Sequence, residues 1–356
     1  MDKIGLVIGG GTGRELGEVF KQALLRITSL IKKKVQIIEC KHEFKTYNQL
    51  KLIPKLSQIK EIVYEDLKAL YVFYKEFYHL GGRVIFRTAI NAETLYAFRR
   101  IGKAVKIIQI PVHSKTLLIV RDEMQGFYTN DEYQLGEHEI YWTSSISKEN
   151  CQIIMTFALK EAKRLLQKPF DVWVTYKHHL FANLIEAWYR KAFNQVKVYQ
   201  PNHVTDLLFQ YIHSINGNDL LLITGNEIGD ILHEVLIYHL GIGTRNTLYS
   251  KNIYLHPDFQ GLTEYQTVHG SADSLAGRGK VNPFATLRIV GAIIEEWLDE
   301  PGFSRKMDDA LQQAESAGIV TPDMGGNSST DEVVEYVLAN ICLGFKAVSG
   351  GKSNGT

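Results

Sequence analysis

One loop of the sequence has the composition of a ligand-binding segment. Residues 263–298 read TEYQTVHGSADSLAGRGKVNPFATLRIVGAIIEEWL, a loop containing Gly and Ser that runs into an apolar helix begun near Asn282 and Pro283. Small residues let a ligand approach the backbone closely, and a helix start adds N–H donors and a positive dipole. The segment therefore predicts a binding loop ahead of a buried helix.

Three ionisable residues stand out by their positions. Lys177 follows the buried-strand pattern DVWVTY, although burying an ammonium group costs free energy unless a partner or a function compensates. Asp230 and Glu234 keep an i, i+4 spacing that places both carboxylates on one helix face. Such a pair is more often ordinary surface charge than part of a binding site. The residues around it must therefore distinguish between these two interpretations.

The first residues, MDKIGLVIGGGTGRELGEVF, have the pattern of a strand followed by a phosphate-binding turn. A dinucleotide fingerprint needs glycine at a position, two after it and three after that, but the third slot is Arg14 counted from Gly9 and Leu16 counted from Gly11. The Gly-Lys-Ser/Thr ending of a P-loop is also absent. Although Glu39 ends the strand-like VQIIE where a ribose-binding acid would stand, the spacing argues against an ordinary Rossmann site.

Composition indicates a globular protein without a strongly charged partner. The chain has 356 residues, 45% of them apolar, and its 40 Lys and Arg nearly balance 39 Asp and Glu. This balance predicts no nucleic-acid partner and no membrane-surface partner.

Cys40, Cys151 and Cys342 lack metal-site spacing, which favours a reducing compartment. We find no room for a signal peptide before the first strand and no membrane-length apolar run, so we expect a cytoplasmic protein.

The elements that must position these residues follow an α/β pattern. Apolar bursts such as KIGLVI, RVIF, TLLIV and LLLIT alternate with helical patterns such as EVFKQALLRITSLIKK and ATLRIVGAIIEEWLDE. Residues 41–80 are rich in Lys and Tyr and look mostly helical, which is more typical of a solvated helical face than of an interaction surface.

The loop resembles the adenosine-binding loop of the β-decarboxylating dehydrogenases, the family of isocitrate, isopropylmalate, homoisocitrate and tartrate/malate dehydrogenases. The family's loop reads His-Gly-Ser/Thr-Ala-Pro, then Ala-Gly, then Asn-Pro. GGGTGRE at 9–15 resembles the family's first turn, Gly-Asp-Gly-Ile-Gly-Pro-Glu, and further matches continue in the family's order to TPDMGGNSSTDEV, with 41–80 the weakest part. The resemblance implies cofactor contacts at His269, Gly270, Ser271, Ala272, Ser274 and Asn282.

Two further motifs imply the catalytic residues. RDEMQGFY resembles the family's Arg-Glu-Asn-x-Glu-Gly-x-Tyr, so Arg121 is expected to hold a substrate carboxylate and Tyr128 to deliver a proton during decarboxylation. DVWVTYKHHLF resembles the Val-Thr-x-x-His-Lys-x-Asn segment, which makes Lys177 the expected catalytic lysine. His179 stands where the family has Asn, which puts contacts to the nicotinamide side in question.

The substrate contacts follow the family pattern only in part. TAIN supplies Asn91 together with Thr88, and AFRR supplies Arg99 or Arg100. In QIPV, Ile110 stands where the family has a second Arg before Pro-Val. The resemblance therefore implies the loss of one carboxylate contact and a substrate that is smaller, less charged or partly hydrophobic.

The metal ligands also follow the family pattern in part. GNEIGDILHE resembles Asn-x-x-Gly-Asp-Ile-x-Ser-Asp, in which two aspartates bind one divalent cation, and this implies that Asp230 and Glu234 hold Mg²⁺ or Mn²⁺. In NHVTDLL, Asn202 replaces the family's third carboxylate, and an amide oxygen carries no charge, so weaker metal binding is expected unless Asp206 substitutes.

The resemblance implies an α/β, isopropylmalate dehydrogenase-like two-domain fold with a central mixed sheet. We expect a large discontinuous nucleotide-binding domain, 1–95 plus 255–356, and a small domain, 96–254, which carries the metal and catalytic residues and a dimer clasp at DEYQLGEHEIYWTSSIS. The implied reaction is oxidation, with decarboxylation, of a malate-type, 3-substituted 2-hydroxy acid as small-molecule substrate. In the family, the lysine and the first metal carboxylate come from the partner subunit, so a homodimer with shared active sites is expected, and a heteromer remains open.

NAD is the expected cofactor, and NADP is less favoured. Asp273 stands at the loop's Pro position and is followed by Ser274 and Leu275, so no cation is placed to meet a 2′-phosphate, although Arg278 and Val281 weigh toward NADP. The alternative function is a catalytically impaired regulatory subunit of a heteromeric isocitrate dehydrogenase-like enzyme, suggested by the missing Asp and Arg. A nucleotide-binding regulator with no dehydrogenase partner rests on the loop alone.

Overall fold

The computed structural model describes residues 1–127, 132–136, 138–177, 180–241, 247–268 and 270–350. Strands and helices alternate along most of the chain, as the apolar patterning predicts. In chain order the elements are β1 (Asp2–Val7), α1 (Gly13–Leu30), β2 (Val35–Glu39), α2 (Tyr47–Lys51), α3 (Leu56–His79), β3 (Val84–Arg87), α4 (Ala92–Ile101), β4 (Ala104–Val112), β5 (Lys115–Asp122), β6 (Glu132–Leu135), β7 (Glu139–Trp142), α5 (Lys148–Leu165), β8 (Phe170–Thr175), α6 (Ala182–Arg190), β9 (Lys197–Tyr199), α7 (Pro201–His213), β10 (Asp219–Gly225), α8 (Asn226–Leu240), β11 (Tyr249–Tyr254), β12 (Thr263–Thr267), α9 (Phe284–Trp297), α10 (Phe303–Ser316) and α11 (Thr330–Gly350).

The chain divides into two compact units. The first unit comprises Met1–Thr94, Gly243–Ser250 and Leu262–Thr356, and the second comprises Leu95–Ile242 and Lys251–Gly261. The expected domains, 1–95 with 255–356 and 96–254, differ from this division around residues 243–261. β11 accounts for part of the difference, because Lys251 pairs with Ile107 of β4, whereas the Ser250 hydroxyl accepts a hydrogen bond from Gln266 of β12.

The first unit is built on parallel strands in the order β2-β1-β3-β12. Apolar side chains of β1 and β3 pack with α1, α9, α10 and α11 in one core, where the rings of Phe20 and Phe86 stack with centroids 4.4 Å apart. Ten of the 14 residues of α9 are buried, because its sequence is apolar on nearly every side. This core holds the start of α9, and with it the end of the predicted binding loop, in place.

The second unit contains a mixed sheet with the strand order β11-β4-β5-β10-β8-β9. β4 is antiparallel to β5 and β11, whereas β5, β10, β8 and β9 run parallel. All seven residues of β10 are buried because α5 and α6 contribute to a core on one face and α7 and α8 to a core on the other. The α/β class with a mixed central sheet is therefore confirmed.

A small antiparallel pair, β6 and β7, forms a separate two-stranded sheet in the segment that the sequence assigns to a dimer clasp. In the described part of the chain, no helix is long and apolar enough to cross a membrane. The expected cytoplasmic location stays a prediction.

Candidate active site

Three parallel strands of the second unit bring predicted site residues to one edge of the sheet. β10 pairs with β5 in a register that sets Thr224 opposite Arg121, and with β8 in a register that sets Thr224 opposite Thr175. Lys177 follows β8 by two residues and is exposed, and α8 begins at Asn226, directly after β10. Ligands of open α/β sheets bind at the carboxyl ends of the strands. This edge is therefore the candidate active site.

Arg121 connects the end of β5 to the first turns of α8. Its guanidinium is buried, with Nη1 3.1 Å from Asp230 Oδ1 and Nη2 3.3 Å from Glu123 Oε1. Nη2 also donates a hydrogen bond to the amide oxygen of Asn226. Gly229 permits this packing, because a Cβ at that position would lie 2.6 Å from Arg121 Cγ. Arg121 is thus held rigidly against one of the predicted metal ligands.

Glu123 lies at the centre of a buried group of charges, here called the Glu123 cluster, which contains Arg99, Lys106, Arg121 and Glu123. Oε2 of Glu123 lies 2.5 Å from Arg99 Nη1, and Oε1 lies 3.3 Å from Arg121 Nη2 and 3.5 Å from Lys106 Nζ. Although burial opposes ionisation, Arg99, Lys106 and Arg121 hold the pKa of Glu123 at about 2. Burial, followed by the charge of Arg121, lowers the pKa of Lys106 to about 7.

Lys106 is a further cation of the site, which sequence reasoning missed. Ile110, expected where the family has its second Arg, lies in the apolar core between β4, β5, α7 and α8. Lys106 stands four residues earlier on β4 and pairs in register with Arg121 of β5. A lysine within the apolar strand AVKIIQIPV was the available signal, by the same reasoning that singled out Lys177. Lys106 therefore adds a cation beside Arg121 that the sequence interpretation did not include, and Glu123 was not foreseen either.

A second buried network lies behind Arg121 and ends next to Lys177. The hydroxyl of Tyr176 donates a 2.8 Å hydrogen bond to Asp122 Oδ2, and the hydroxyl of Tyr189 donates one of 2.8 Å to Tyr176. Gln125 Nε2 donates to the same carboxylate at 2.6 Å. Burial raises the pKa of Asp122 to about 7, even though these hydrogen bonds favour the carboxylate. Asp122 and Tyr176 therefore fix the backbone from which Lys177 extends.

The raised pKa of Asp122 predicts how stability depends on pH. Between the ordinary carboxyl pKa of 3.8 and a pKa of about 7, the folded state keeps a proton that the unfolded state has lost, so stability falls as pH rises through this window. Urea denaturation of Asp122→Asn at several pH values should show its stability relative to the wild type increasing by a few kcal/mol from pH 4 to pH 8. The exposed Asp171→Asn serves as control, and parallel pH profiles for Asp122→Asn and the wild type would contradict the prediction.

The predicted metal ligands lie on two helices of the second unit. Asp230 and Glu234 are on α8, with the Asp230 side chain 45% exposed, and Asn202 and Asp206 are exposed on α7. Among the residues that the structure describes, no three His, Cys, Asp or Glu side chains gather into a group that could hold a metal. Carboxylate oxygens suit Mg²⁺ and Mn²⁺. One chain therefore offers two suitable donors on α8 rather than a complete carboxylate site.

Two predicted substrate residues of the first unit have structural partners. Thr88 Oγ1 accepts a 2.7 Å hydrogen bond from the backbone N–H of Gly9, which ties the end of β3 to the first glycine turn. Asn91 donates to Asp66 Oδ2 at 3.0 Å and accepts from the N–H of Thr94 at 2.8 Å. Both side chains are fully buried. In the first unit, Thr88 and Asn91 thus hold the chain between β3 and α4.

The predicted cofactor loop is anchored on the first glycine turn. The N–H and the hydroxyl of Thr12 both donate to the carbonyl of Ser271, at 2.9 and 3.0 Å, and a Cβ at Gly11 would lie 2.3 Å from that oxygen. Asn282 closes the loop, accepting from Phe284 N at the start of α9 and donating to Asp323. Along the loop, Gly270, Ala272 and Ser274 are exposed. The predicted cofactor contact His269 lies outside the described residues, as does the predicted proton donor Tyr128.

A cavity of about 680 Å³ lies within the first unit beside the same turn. Its lining includes Gly9, Gly10, Arg14, Glu39 and Lys41, and none of the predicted cofactor-loop residues. The sequence places the nucleotide against the loop rather than on Gly9 to Gly13, and this placement stays a prediction. A nucleotide-bound structure would test this prediction, because the pyrophosphate would lie either against the loop or on the turn from Gly9 to Gly13.

Comparison with known proteins places the candidate site in a family. The family model described as isocitrate/isopropylmalate dehydrogenase matches residues 87–337, about 70% of the chain. This match contains Arg99, Lys106, Arg121, Lys177 and Asp230.

Curated relatives and solved structures agree with that match. The 3-isopropylmalate/3-methylmalate dehydrogenase of Methanocaldococcus jannaschii is 28% identical over 252 residues, which are 69% of this chain and 73% of that protein. The 3-isopropylmalate dehydrogenase of Pichia angusta is also 28% identical, over 65% of this chain and 64% of its own length. A solved structure of isocitrate dehydrogenase from Methylococcus capsulatus has a TM-score of 0.63 at 19% identity, covering 96% of this chain and 100% of that chain, which shows the fold.

Proposed function

This chain belongs to the isocitrate/isopropylmalate dehydrogenase family, and we propose that it is an NAD-dependent dehydrogenase that oxidises and decarboxylates a malate-type, 3-substituted 2-hydroxy acid. The observation that carries the proposal is the position of Arg121, which is buried between Glu123 and the half-exposed carboxylate of Asp230 on α8. A fixed guanidinium beside a candidate metal ligand can hold a carboxylate next to the hydroxyl that reacts. Relatives named 3-isopropylmalate dehydrogenase support the reaction class.

The chain's own residues account for binding and proton transfer. Arg121, with Arg99 and Lys106 behind it, supplies charge-assisted hydrogen bonds that orient a substrate carboxylate. Lys177, exposed beyond β8, would take up the proton of the substrate hydroxyl, and NAD, when bound, would supply the hydride acceptor. After loss of carbon dioxide, the hydroxyl of Tyr128 delivers a proton to the resulting enolate carbon.

Mg²⁺ or Mn²⁺ fits the donors of α8. Asp230 and Glu234 offer hard oxygen atoms one helical turn apart, and Asn202 adds an amide oxygen to the proposed set. When bound, a divalent cation lowers the pKa of the substrate hydroxyl and polarises the ketone. In the proposed homodimer, Lys177 and one of the metal ligands act in the partner's site.

NAD is favoured over NADP because of the charge on the loop. Asp273 Oδ2 accepts a 2.7 Å hydrogen bond from Thr46, and hydrogen bonds from Ser271 and Thr46 outweigh burial and lower the pKa of Asp273. A fixed carboxylate on the adenosine loop repels a 2′-phosphate. Calorimetry with the two nucleotides tests this preference directly.

The pair β6 and β7 supports a dimer formed with a second copy of this chain. Its large apolar side chains are exposed, including Tyr133, Leu135, Ile140 and Trp142, the last two at 60%. A two-stranded sheet is only marginally stable by itself, so these side chains call for a covering surface. Light scattering of the purified chain measures whether the dimer exists.

The proposed reaction is tested by NADH formation. Purified chain with NAD, Mn²⁺ and a panel of 3-substituted malates should give turnover that disappears in Tyr128→Phe. The regulatory-subunit alternative rests on Asn202 and Ile110, which stand where the family has a metal carboxylate and a substrate Arg, and Ile110 lies in an apolar core. Absence of turnover with every malate, alone or mixed with a homologous subunit, would overturn the enzyme proposal.

Asn202→Asp should tighten Mn²⁺ binding. The change adds an anion at an exposed position of the proposed ligand set, and each added carboxylate strengthens coordination of a divalent cation, here by about tenfold. Calorimetric titration with Mn²⁺ measures the effect, with the exposed Asn216→Asp as matched control. Equal affinities in the two variants would remove Asn202 from the metal site. Turnover need not rise, because tighter binding can slow product release.

A further inference from the structure

In the Glu123 cluster, the carboxylate of Glu123 contacts the basic side chains in the way that the carboxylate of a bound ligand would. Glu123 is fully buried, and its two oxygens face different cations, Oε2 toward Arg99 at 2.5 Å and Oε1 toward Arg121 and Lys106 at 3.3 and 3.5 Å. Asn226 Nδ2 adds a hydrogen bond of 3.2 Å to Oε2. Three cations and one amide donor therefore surround a single buried carboxylate.

Stability alone gives no reason for this arrangement. Desolvation of buried charges offsets most of their mutual attraction, so a buried ion-pair network adds little net stability compared with apolar packing. The same sheet packs apolar residues at neighbouring positions, such as Val105 beside Lys106 and Val120 beside Arg121. The buried charges therefore point to recognition of a charged ligand.

Three cations of the Glu123 cluster face the carboxylate of Glu123, and Asp230 adds a second carboxylate beside Arg121. Arg99 and Arg121 are always protonated. Glu123 and Asp230 lie within 3.3 Å of these two arginines, so with Lys106 protonated the five groups together carry one surplus positive charge. A carboxylate that enters this dry site needs a cation of its own, because an unpaired buried charge is costly.

We propose that Glu123 sets the number of carboxylates on the substrate, because it occupies the cluster's cations and leaves capacity for one incoming carboxylate. This inference rests on the proposed function and narrows it. Of the two carboxylates of a malate core, one lies at the α8 donors with the hydroxyl and the other at the cluster, so the substituent on carbon 3 is uncharged. Glu123 is a specificity-determining residue that excludes tricarboxylic hydroxy acids.

The test compares acids that differ in carboxylate number on the full chain with NAD and Mn²⁺ present. Isocitrate carries three carboxylates, malate two and 2-hydroxybutyrate one. Calorimetry should show wild-type chain binding malate at least about tenfold more tightly than isocitrate, the cost of one unpaired buried charge. Glu123→Gln should abolish or reverse this ratio while changing the affinity for 2-hydroxybutyrate least.

Two further variants separate charge from general damage. Glu123→Gln combined with Lys106→Met removes one charge of each sign and should restore the wild-type preference. Glu264→Gln makes the same substitution at a fully buried carboxylate paired with Arg87 in the first unit, 3.1 Å away, and should leave the ratio unchanged. An unchanged malate-to-isocitrate ratio in Glu123→Gln overturns the inference, as does wild-type chain that binds isocitrate as tightly as malate or binds neither acid. Because the readout is binding, failure of the proposed reaction appears separately, as absent NADH formation.

Discussion

Replacing Lys177 with methionine is expected to lower kcat by about 10²- to 10⁴-fold, the range that a positioned acid–base group contributes. Lys177 lies two residues beyond β8 in the second unit, whereas the predicted NAD contacts from Gly270 to Asn282 belong to the first. The substitution therefore removes the proton acceptor and leaves the nucleotide-binding loop intact. NADH formation and NAD binding by calorimetry are measured on the same preparation. The variant should lose turnover but still bind NAD.

Lys191→Met is the matched control for this experiment. Lys191 is another exposed lysine of the second unit and follows α6. Its replacement should leave both turnover and NAD affinity at the wild-type level. Full turnover in Lys177→Met would remove this residue from the reaction, and absence of NAD binding by the wild type would leave the dehydrogenase proposal without support.

The fold was largely predictable because its determinants are local in sequence. The apolar bursts became strands, from β2, read as VQIIE and only partly buried, to β10, read as LLLIT and buried along its whole length. The weakly matching segment 41–80 is mostly helical, as expected, and its helix α3 spans Leu56–His79. Its buried Asp66, however, binds His42 at 2.7 Å and Asn91 at 3.0 Å, and no local pattern identifies partners so far apart in sequence.

The candidate site was predictable where the residues follow strand ends or share one helix face. Arg121 and Lys177 lie at strand ends, and Asp230 and Glu234 share one face of α8. The structure brings the ends of β5, β8 and β10 together at one edge of the sheet. Lys106 and Glu123 depend on the antiparallel register of β4 and β5, which sets Lys106 opposite Arg121. β4 and β5 form a hairpin around His113 and Ser114, which are not the Asn-Gly or Asp-Gly pair that marks a hairpin in sequence, so the pairing of Lys106 with Arg121 could not be recognised from the sequence.

Arg121→Met should be the most damaging change in the second unit. It removes a buried guanidinium that pairs with Glu123 and Asp230, and it leaves the fully buried Glu123 with one cation fewer. Breaking a buried ion pair from one side costs about 3–5 kcal/mol in folding free energy. Loss of the carboxylate contact should independently lower kcat/KM by a factor on the order of 10² to 10³, since a desolvated charged partner contributes about 2–5 kcal/mol to binding.

The structure offers two controls that distinguish these effects. Arg190→Met removes an exposed arginine, with half of its side chain in solvent, from its pairing with Glu186, so urea denaturation should show a loss below about 1 kcal/mol. Arg121→Lys keeps the charge but not the planar fork that reaches Glu123 and Asp230 together, so it should recover much of the stability and little of kcat/KM. If Arg121→Lys recovers both in parallel, Arg121 is a structural residue and the substrate carboxylate is held elsewhere.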